Sequence, residues 1–476
     1  MKQLLVFIVS LWTACLLQAQ VTVTEPDVQT LYFDSIVKST LPRGSNVGIM
    51  VYDLTAGKTC YEYQSAMLSR PASNMKLLTA ITALSLTGRD EPFRTELWME
   101  GELKGDTLQG NLYMVGGFDP EFDEEALSFF TDSIAGMGIR VIDGHLYGDV
   151  NMKDSLYWGS GWMWDDNPEA FQPYLSPLML NKGAVQIKAT AGNAGERASL
   201  EVTPASTYYT IENQTVSKQS KAGPFKVTRD WLVNGNRIQV SGNVPRSNTA
   251  SINVYRSEDF FLHTMLDQLS MRDISVTQGY DYAALPDNSV LLLTFNTPMQ
   301  DVLNQMMKES DNLNAEAMLF RIAAQSTGQK HLTAKDGTEV IRNLITRLGL
   351  KKEDYRLADG CGLSNYDYIS PELLIAFLRY AYNNKQIYQR LNESLPIAGV
   401  DGTLQTRMRR GSPAYRNVRA KTGTVTGVSC LSGYLKSSNG HELAFSIMNQ
   451  NSLSAQAARN FQDKFCEELI TYNQFP

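Results

Sequence analysis

Residues 73–86 read Ser73-Asn74-Met75-Lys76-Leu77-Leu78-Thr79-Ala80-Ile81-Thr82-Ala83-Leu84-Ser85-Leu86. From Met75 onward the run has no glycine or proline and is apolar nearly all round, the pattern of a buried helix. A serine stands at its head, with a lysine three residues on. Positions i and i+3 share one helix face, so hydroxyl and amine can meet. A serine at a helix start also has the positive dipole end and free backbone N–H groups beside it, which favour a developing oxyanion. Without a histidine such a serine needs another base, and a lysine whose ammonium is lowered in pKa by burial can serve. The pattern alone is weak, because Ser-x-x-Lys arises about once or twice by chance in a chain this long. Ser35-Ile36-Val37-Lys38 is a second copy and reads as an ordinary exposed helix segment.

Working outward, Gly48–Asp53 and Lys58–Tyr63 alternate around Thr55-Ala56-Gly57, a hairpin signal. Near the other end, Val428–Lys436 and Glu442–Gln450 flank Ser438-Asn439-Gly440, a second one. About Ser454 to Tyr472 has helical spacing. Strands at both ends predict one sheet closed by both termini, with helices and any insert between. Further helical pattern covers Asn304–Ala324, Lys335–Leu348 and Pro371–Asn383. Between Phe93 and about Leu285 short alternating strands replace it, with turns at Gly105-Asp106, Asp143-Gly144 and Asn234-Gly235. That block reads as a largely β insert.

The chain has 476 residues, more than one hydrophobic core usually serves, so two or more domains are expected. A net charge of −7 without a basic stripe argues against a nucleic-acid partner. Lys2, the apolar run Leu4–Leu17 and the small Ala19 have the order of a secretory signal, residues 1–19. A lipoprotein signal ending at Cys15 fits less well, because Trp12 precedes it and Leu16-Leu17 follow. No other stretch reaches about 18 consecutive apolar residues, so no membrane span is expected in the mature chain. Cys60, Cys361, Cys430 and Cys466 show no zinc spacing, and buried free thiols are the preferred reading.

The four histidines, His145, His263, His331 and His441, sit in no HExxH pair or GxSxG elbow, which leaves a histidine triad and a zinc peptidase unsupported. Two other motifs suit the serine–lysine pair. Ser310-Asp311-Asn312 precedes an apolar helix and, by itself, reads as an N-cap. Lys421-Thr422-Gly423-Thr424 precedes the C-terminal hairpin, where an edge strand can hold a substrate carboxylate. Gly423 lets a substrate backbone come close, and the following N–H can complete an oxyanion hole.

Ser-x-x-Lys, Ser-Asp-Asn and Lys-Thr-Gly in this order are the signature of β-lactamases and penicillin-binding proteins. The stretch between Ser73 and Ser310 is far longer than in simple β-lactamases. It resembles the D-alanyl-D-alanine carboxypeptidase/endopeptidase family, the class C low-molecular-mass penicillin-binding proteins. Gly110–Phe122, Trp162–Asp166, Ser176–Val185, Asp359–Ser364, Pro396–Leu404 and Val418–Tyr434 carry the resemblance across nearly all of the mature chain. Phe118 stands where the family usually has glycine, and Cys361 where it usually has serine.

The resemblance implies an α/β (α+β) penicillin-recognising, serine transpeptidase-like fold, with a five-stranded antiparallel sheet and a helical cluster. The peptidase domain is expected over 20–93 and 286–476 and an inserted β-rich portion over 94–285. It implies a Ser73 acyl-enzyme, with Lys76 as base, Ser310 and Asn312 as partners, and Lys421, Thr422, Gly423 and Thr424 binding substrate. Ser310 as the main acid–base group stays open. Peptidoglycan stem peptides are the implied substrates and β-lactams the implied covalent inhibitors, with no metal or cofactor, in an exported, periplasmic protein. A β-lactamase and a non-catalytic sensor on the same fold are the alternatives. Because all three motifs lie outside the insert, the chemistry is expected not to need it.

Overall fold

The terminal hairpins meet in one sheet. A computed structural model describes residues 28–86 and 91–475, so the predicted signal segment and Cys15 lie outside the described residues. After helix α1 (Val28–Thr40) come β1 (Asn46–Asp53) and β2 (Lys58–Tyr63), then helix α2 (Met75–Leu86). From the C-terminal part come α3 (Asn312–Thr327), α4 (Ala334–Arg347), α5 (Pro371–Asn383), β3 (Arg419–Val425), β4 (Val428–Lys436), β5 (Glu442–Gln450) and α6 (Ala455–Thr471). The sheet has the order β3-β4-β5-β1-β2, all antiparallel. Its centre joins the two halves of the chain, with Val51 opposite Phe445.

Both faces of this sheet are covered, which explains why its strands read as nearly continuous apolar runs. Val47, Ile49, Val51, Leu431, Phe445 and Ile447 face α1 and α6. Met50, Tyr52, Cys430, Tyr434, Ala444 and Met448 face the helical cluster. At the centre of that cluster every residue of α2 from Met75 to Leu84 is buried. The predicted helices over 75–86, 335–348 and 371–383 form within a residue of those limits. Asn304–Ala324 does not form one helix. A π-helical turn, Gln305–Glu309, ends at Ser310, which has a left-handed φ of 63°. Asp311 then caps α3, accepting from the Asn314 N–H at 3.0 Å.

The inserted block is β-rich, with helices at Glu124–Gly136 and Ser257–Ser270. A seven-stranded sheet includes Phe93–Lys104 paired with Val290–Thr297, so its last strand lies beyond residue 285. Two three-stranded sheets complete it. Phe118, in the position where glycine was expected, holds a left-handed φ of 58°. It is fully buried and stacks on Phe320 of α3, ring centroids 5.1 Å apart. The four described cysteines are free, but Cys60 is only half-buried rather than buried. The Ser35–Lys38 copy lies on α1 with both residues exposed, as expected. Among the described residues no helix is long and apolar enough to cross a membrane.

Phe33 fastens α1 to the far end of the chain. It is fully buried, with ring centroids 5.2 Å from Tyr61, 5.5 Å from Phe465 and 5.2 Å from Tyr472. Phe33→Ala should destabilise the protein by about 3–5 kcal/mol, read from urea unfolding, because it removes a buried ring and leaves a cavity.

Candidate active site

Ser73 sits in the tight turn Ala72–Asn74 that leads directly into α2. This places Lys76 one turn further on, beneath the serine. Lys76 is fully buried, and its Nζ donates to three oxygens: Ser73 Oγ at 3.0 Å, Asn312 Oδ1 at 2.6 Å and the Cys361 carbonyl at 2.7 Å. None of these acceptors is a carboxylate. Burial therefore pushes the Lys76 ammonium below its usual range, while the more distant charges of Asp359, Asp311 and Glu316 oppose the shift.

Ser310 and Asn312 come from the break before α3. Because Asp311 does the capping, the hydroxyl and amide on either side remain free to face the cleft. Asp311 thus takes the cap role, while Ser310 and Asn312 line the cleft. Ser310 Oγ accepts from Lys421 Nζ at 2.8 Å, and Lys421 also donates to the Thr422 carbonyl at 3.0 Å. Lys421 is fully buried too; burial, and secondarily the nearby Lys76, push its ammonium well below the usual range.

The edge strand β3 lies against the Ser73 turn, tied there by Asn74 Nδ2 donating to the Lys421 carbonyl at 3.2 Å. Gly423 allows the approach. A Cβ there would meet Pro71 O at 2.8 Å and the N atoms of Ser73 and Asn74 at 3.0 and 3.1 Å. Thr424 is exposed on the cleft, whereas the Thr422 hydroxyl donates to Thr403 Oγ1 at 2.7 Å. Thr403 and Cys361 lie in segments that matched the family, but nothing in their residue types announced a contact with the motifs.

A cavity of about 730 Å³ opens over Ser73, Ser310, Asn312 and Thr424. The insert, which the chemistry was expected not to need, contributes to this cavity. Met163, Asp165, Asp166 and Phe171 of the insert line the same cavity, and the Phe171 carbonyl accepts from Asn312 Nδ2 at 2.8 Å. No histidine lines it among the described residues. His441, for example, pairs with buried Asp53 at 2.6 Å.

Behind Lys76 lies a buried acidic layer. Glu316 Oε1 accepts from the Gly360 N–H at 2.9 Å, one residue from the carbonyl that holds Lys76. Burial, reinforced by Asp359, pushes the Glu316 carboxyl up to about 8. A carboxyl whose pKa is raised by folding favours the folded state below its unfolded pKa, and that advantage is lost as pH rises through its folded one. Glu316→Gln should therefore gain stability relative to the wild type as pH is raised from 4.5 to about 8. Chemical denaturation at several pH values reads that difference.

Residues 32–470 match the family described as D-Ala-D-Ala carboxypeptidase 3 (S13). A D-alanyl-D-alanine carboxypeptidase of Actinomadura sp. (strain R39) is 30% identical over 458 residues, 92% of this chain and 84% of that one. The crystal structure of penicillin binding protein 4 (dacB) from Haemophilus influenzae has 25% sequence identity and a TM-score of 0.79, over 92% of this chain and 99% of its own. A structure of that protein complexed with a β-lactam gives 24% identity and a TM-score of 0.74 over the same shares. With a match that spans the sheet, the helical cluster and the insert alike, the chain belongs to the D-Ala-D-Ala carboxypeptidase 3 (S13) family.

Proposed function

We propose that this chain is a serine-type D-Ala-D-Ala carboxypeptidase or D,D-endopeptidase of peptidoglycan stem peptides, working through a Ser73 acyl-enzyme. The observation that carries this reading is an amine without a carboxylate partner, Lys76 Nζ, held 3.0 Å from Ser73 Oγ at the foot of a cleft. An amine that is easily deprotonated beside a hydroxyl is a general base in place.

Lys76 takes the Ser73 proton as Oγ attacks the carbonyl of the penultimate D-Ala. The N–H groups of Ser73 and Thr424 stabilise the oxyanion. Ser310 passes a proton to the leaving amine, and its hydrogen bond from Lys421 links it to a second amine of depressed basicity. Asn312 holds Lys76 and the substrate amide. Lys421 and the exposed Thr424 meet the terminal carboxylate, and Thr422 and Gly423 shape the strand edge that presents them. Water then cleaves the ester, freeing Ser73. The chemistry asks for no metal or cofactor. The pairing of strand 290–297 with strand 93–104 favours an insert of about 93–297 within a peptidase domain formed by the flanks.

A β-lactam mimics D-Ala-D-Ala, and its opened ring stays tethered, so the acyl-enzyme should persist. Labelled penicillin should map by peptide mass to Ser73, and Ser73→Ala should abolish the adduct. Lys76→Ala should slow acylation by about 10²–10⁴ through loss of a general base. Lys421→Ala should impair a peptide with a free carboxylate more than a neutral ester. An adduct on Ser35 or Ser310 would overturn the assignment.

Such a substrate also requires export to the periplasm. The charged start, apolar run and small residue before Gln20 support cleavage after Ala19. N-terminal sequencing of envelope protein should find Gln20 first. A lipid-bearing Cys15 would instead establish anchoring.

A further inference from the structure

Two of the three groups that hold Lys76 Nζ are themselves fastened to the insert. The first is Asn312. Its Oδ1 accepts from Lys76 while its Nδ2 donates to the Phe171 carbonyl, so a single amide ties Lys76 to the insert and both partners favour the same orientation. The neighbouring Asp311 is gripped as well, by Lys182 of the insert at 2.7 Å, and Lys182 reaches Glu121 at 2.8 Å.

The second is the Cys361 carbonyl. It belongs to the loop Asp359–Ser364, which wraps around one buried carboxylate. Asp359 accepts from the N–H groups of Gly362 at 2.7 Å and Ser364 at 2.8 Å. The Cys361 thiol also donates to it at 3.4 Å, and the insert adds a further donor, the indole Nε1 of Trp162 at 2.8 Å. The same segment of the insert runs alongside the loop. Ser364 Oγ donates to the Ser160 carbonyl at 2.6 Å, and the Asn365 N–H to the Gly161 carbonyl at 3.1 Å. Gly161 has a φ of +82°, and a Cβ there would meet Ser364 Oγ at 2.6 Å, so only glycine fits so close.

This insert segment is braced from its far side. Arg229 is 2% exposed and donates to Asn167 Oδ1 at 3.0 Å, Tyr174 OH at 3.2 Å and Asn253 Oδ1 at 2.9 Å. Asn167 and Tyr174 flank Phe171. The segment is therefore a rigid strut rather than a loose loop.

We propose that the insert segment 160–171 positions the base of the peptidase, with Trp162 as its positioning residue acting through Asp359 and the Cys361 carbonyl on Lys76. The alternative, a strut that merely stabilises the fold, makes a different prediction. Loss of the Trp162 donor alone should slow the covalent step with little change in how the cleft holds a ligand, because the ring keeps the segment packed and Met163, Asp165, Asp166 and Phe171 stay in the cavity wall beside Thr424.

This rests on the Ser73 acyl-enzyme reading, and the wild-type adduct tests that reading first. If wild-type Ser73 takes no label, the function falls and not this inference alone. With labelling established, Trp162→Phe keeps the ring and removes only the donor. In stopped-flow acylation by a chromogenic β-lactam, the acylation rate constant should fall at least about tenfold, as small displacements in an active site do. The non-covalent dissociation constant should stay within about twofold. Ser364→Ala breaks the same strut from the peptidase side and should show the same split, to a smaller extent. It decides the matter if Trp162→Phe does not fold. A wild-type acylation rate in the folded variants, or a loss shared between rate and affinity, overturns the proposal.

Discussion

Everything at the site depends on a lysine that has been taken out of water without a carboxylate to accompany it. A buried ammonium is costly unless paired. Lys76 meets only a hydroxyl, an amide oxygen and a carbonyl. These acceptors suit a neutral amine, which keeps one lone pair, about as well as they suit an ammonium. Lys421 is in a like position, with a hydroxyl and a carbonyl, and burial together with the nearby Lys76 disfavours its charge. Two basic side chains placed against two serine hydroxyls is an arrangement suited to moving protons, as a lysine paired with a carboxylate would not be.

Keeping those amines in place demands rigid surroundings on every side. α2 supplies one wall, because a helix buried all round cannot rotate without exposing apolar surface. The edge strand β3 supplies another, pressed close by Gly423. The third is the break at Ser310, where a π-helical turn ends in a left-handed residue. A non-glycine residue in that conformation costs energy and survives only where neighbours hold it. Asp311, held by the α3 backbone and by Lys182, is that hold.

The insert therefore belongs to the site as much as the sheet does. Its cost is visible at Phe118, which adopts a left-handed backbone where a glycine would be at ease. The ring's complete burial and its stacking on Phe320 offset that strain and join the insert to the helix that carries Asn312. Phe118, Trp162, Leu175 and Met179 of the insert thus belong to the same apolar core as the helical cluster, and the cleft is formed at that seam.

The sequence by itself determined what is local. Glycine-free apolar periodicity marked α2 and α5, turn residues marked the two hairpins, and three short motifs marked the candidate site residues. Spacing of three residues on a helix sufficed to put Ser73 over Lys76. What sequence could not show is which distant backbone atoms complete the site. The Cys361 and Phe171 carbonyls carry no side-chain signature, and any residue type could have supplied them. Nor did helical periodicity reveal the break at Ser310, because the residues around it keep apolar spacing while the backbone between them changes hand. Trp162 stood out only as part of a family-like segment, with nothing in the sequence to name its partner. Only the packing of the insert on the loop Asp359–Ser364 made it a donor to a buried carboxylate, because hydrogen bonds across such distances in the chain are set by where whole elements come to rest, not by the residues beside them.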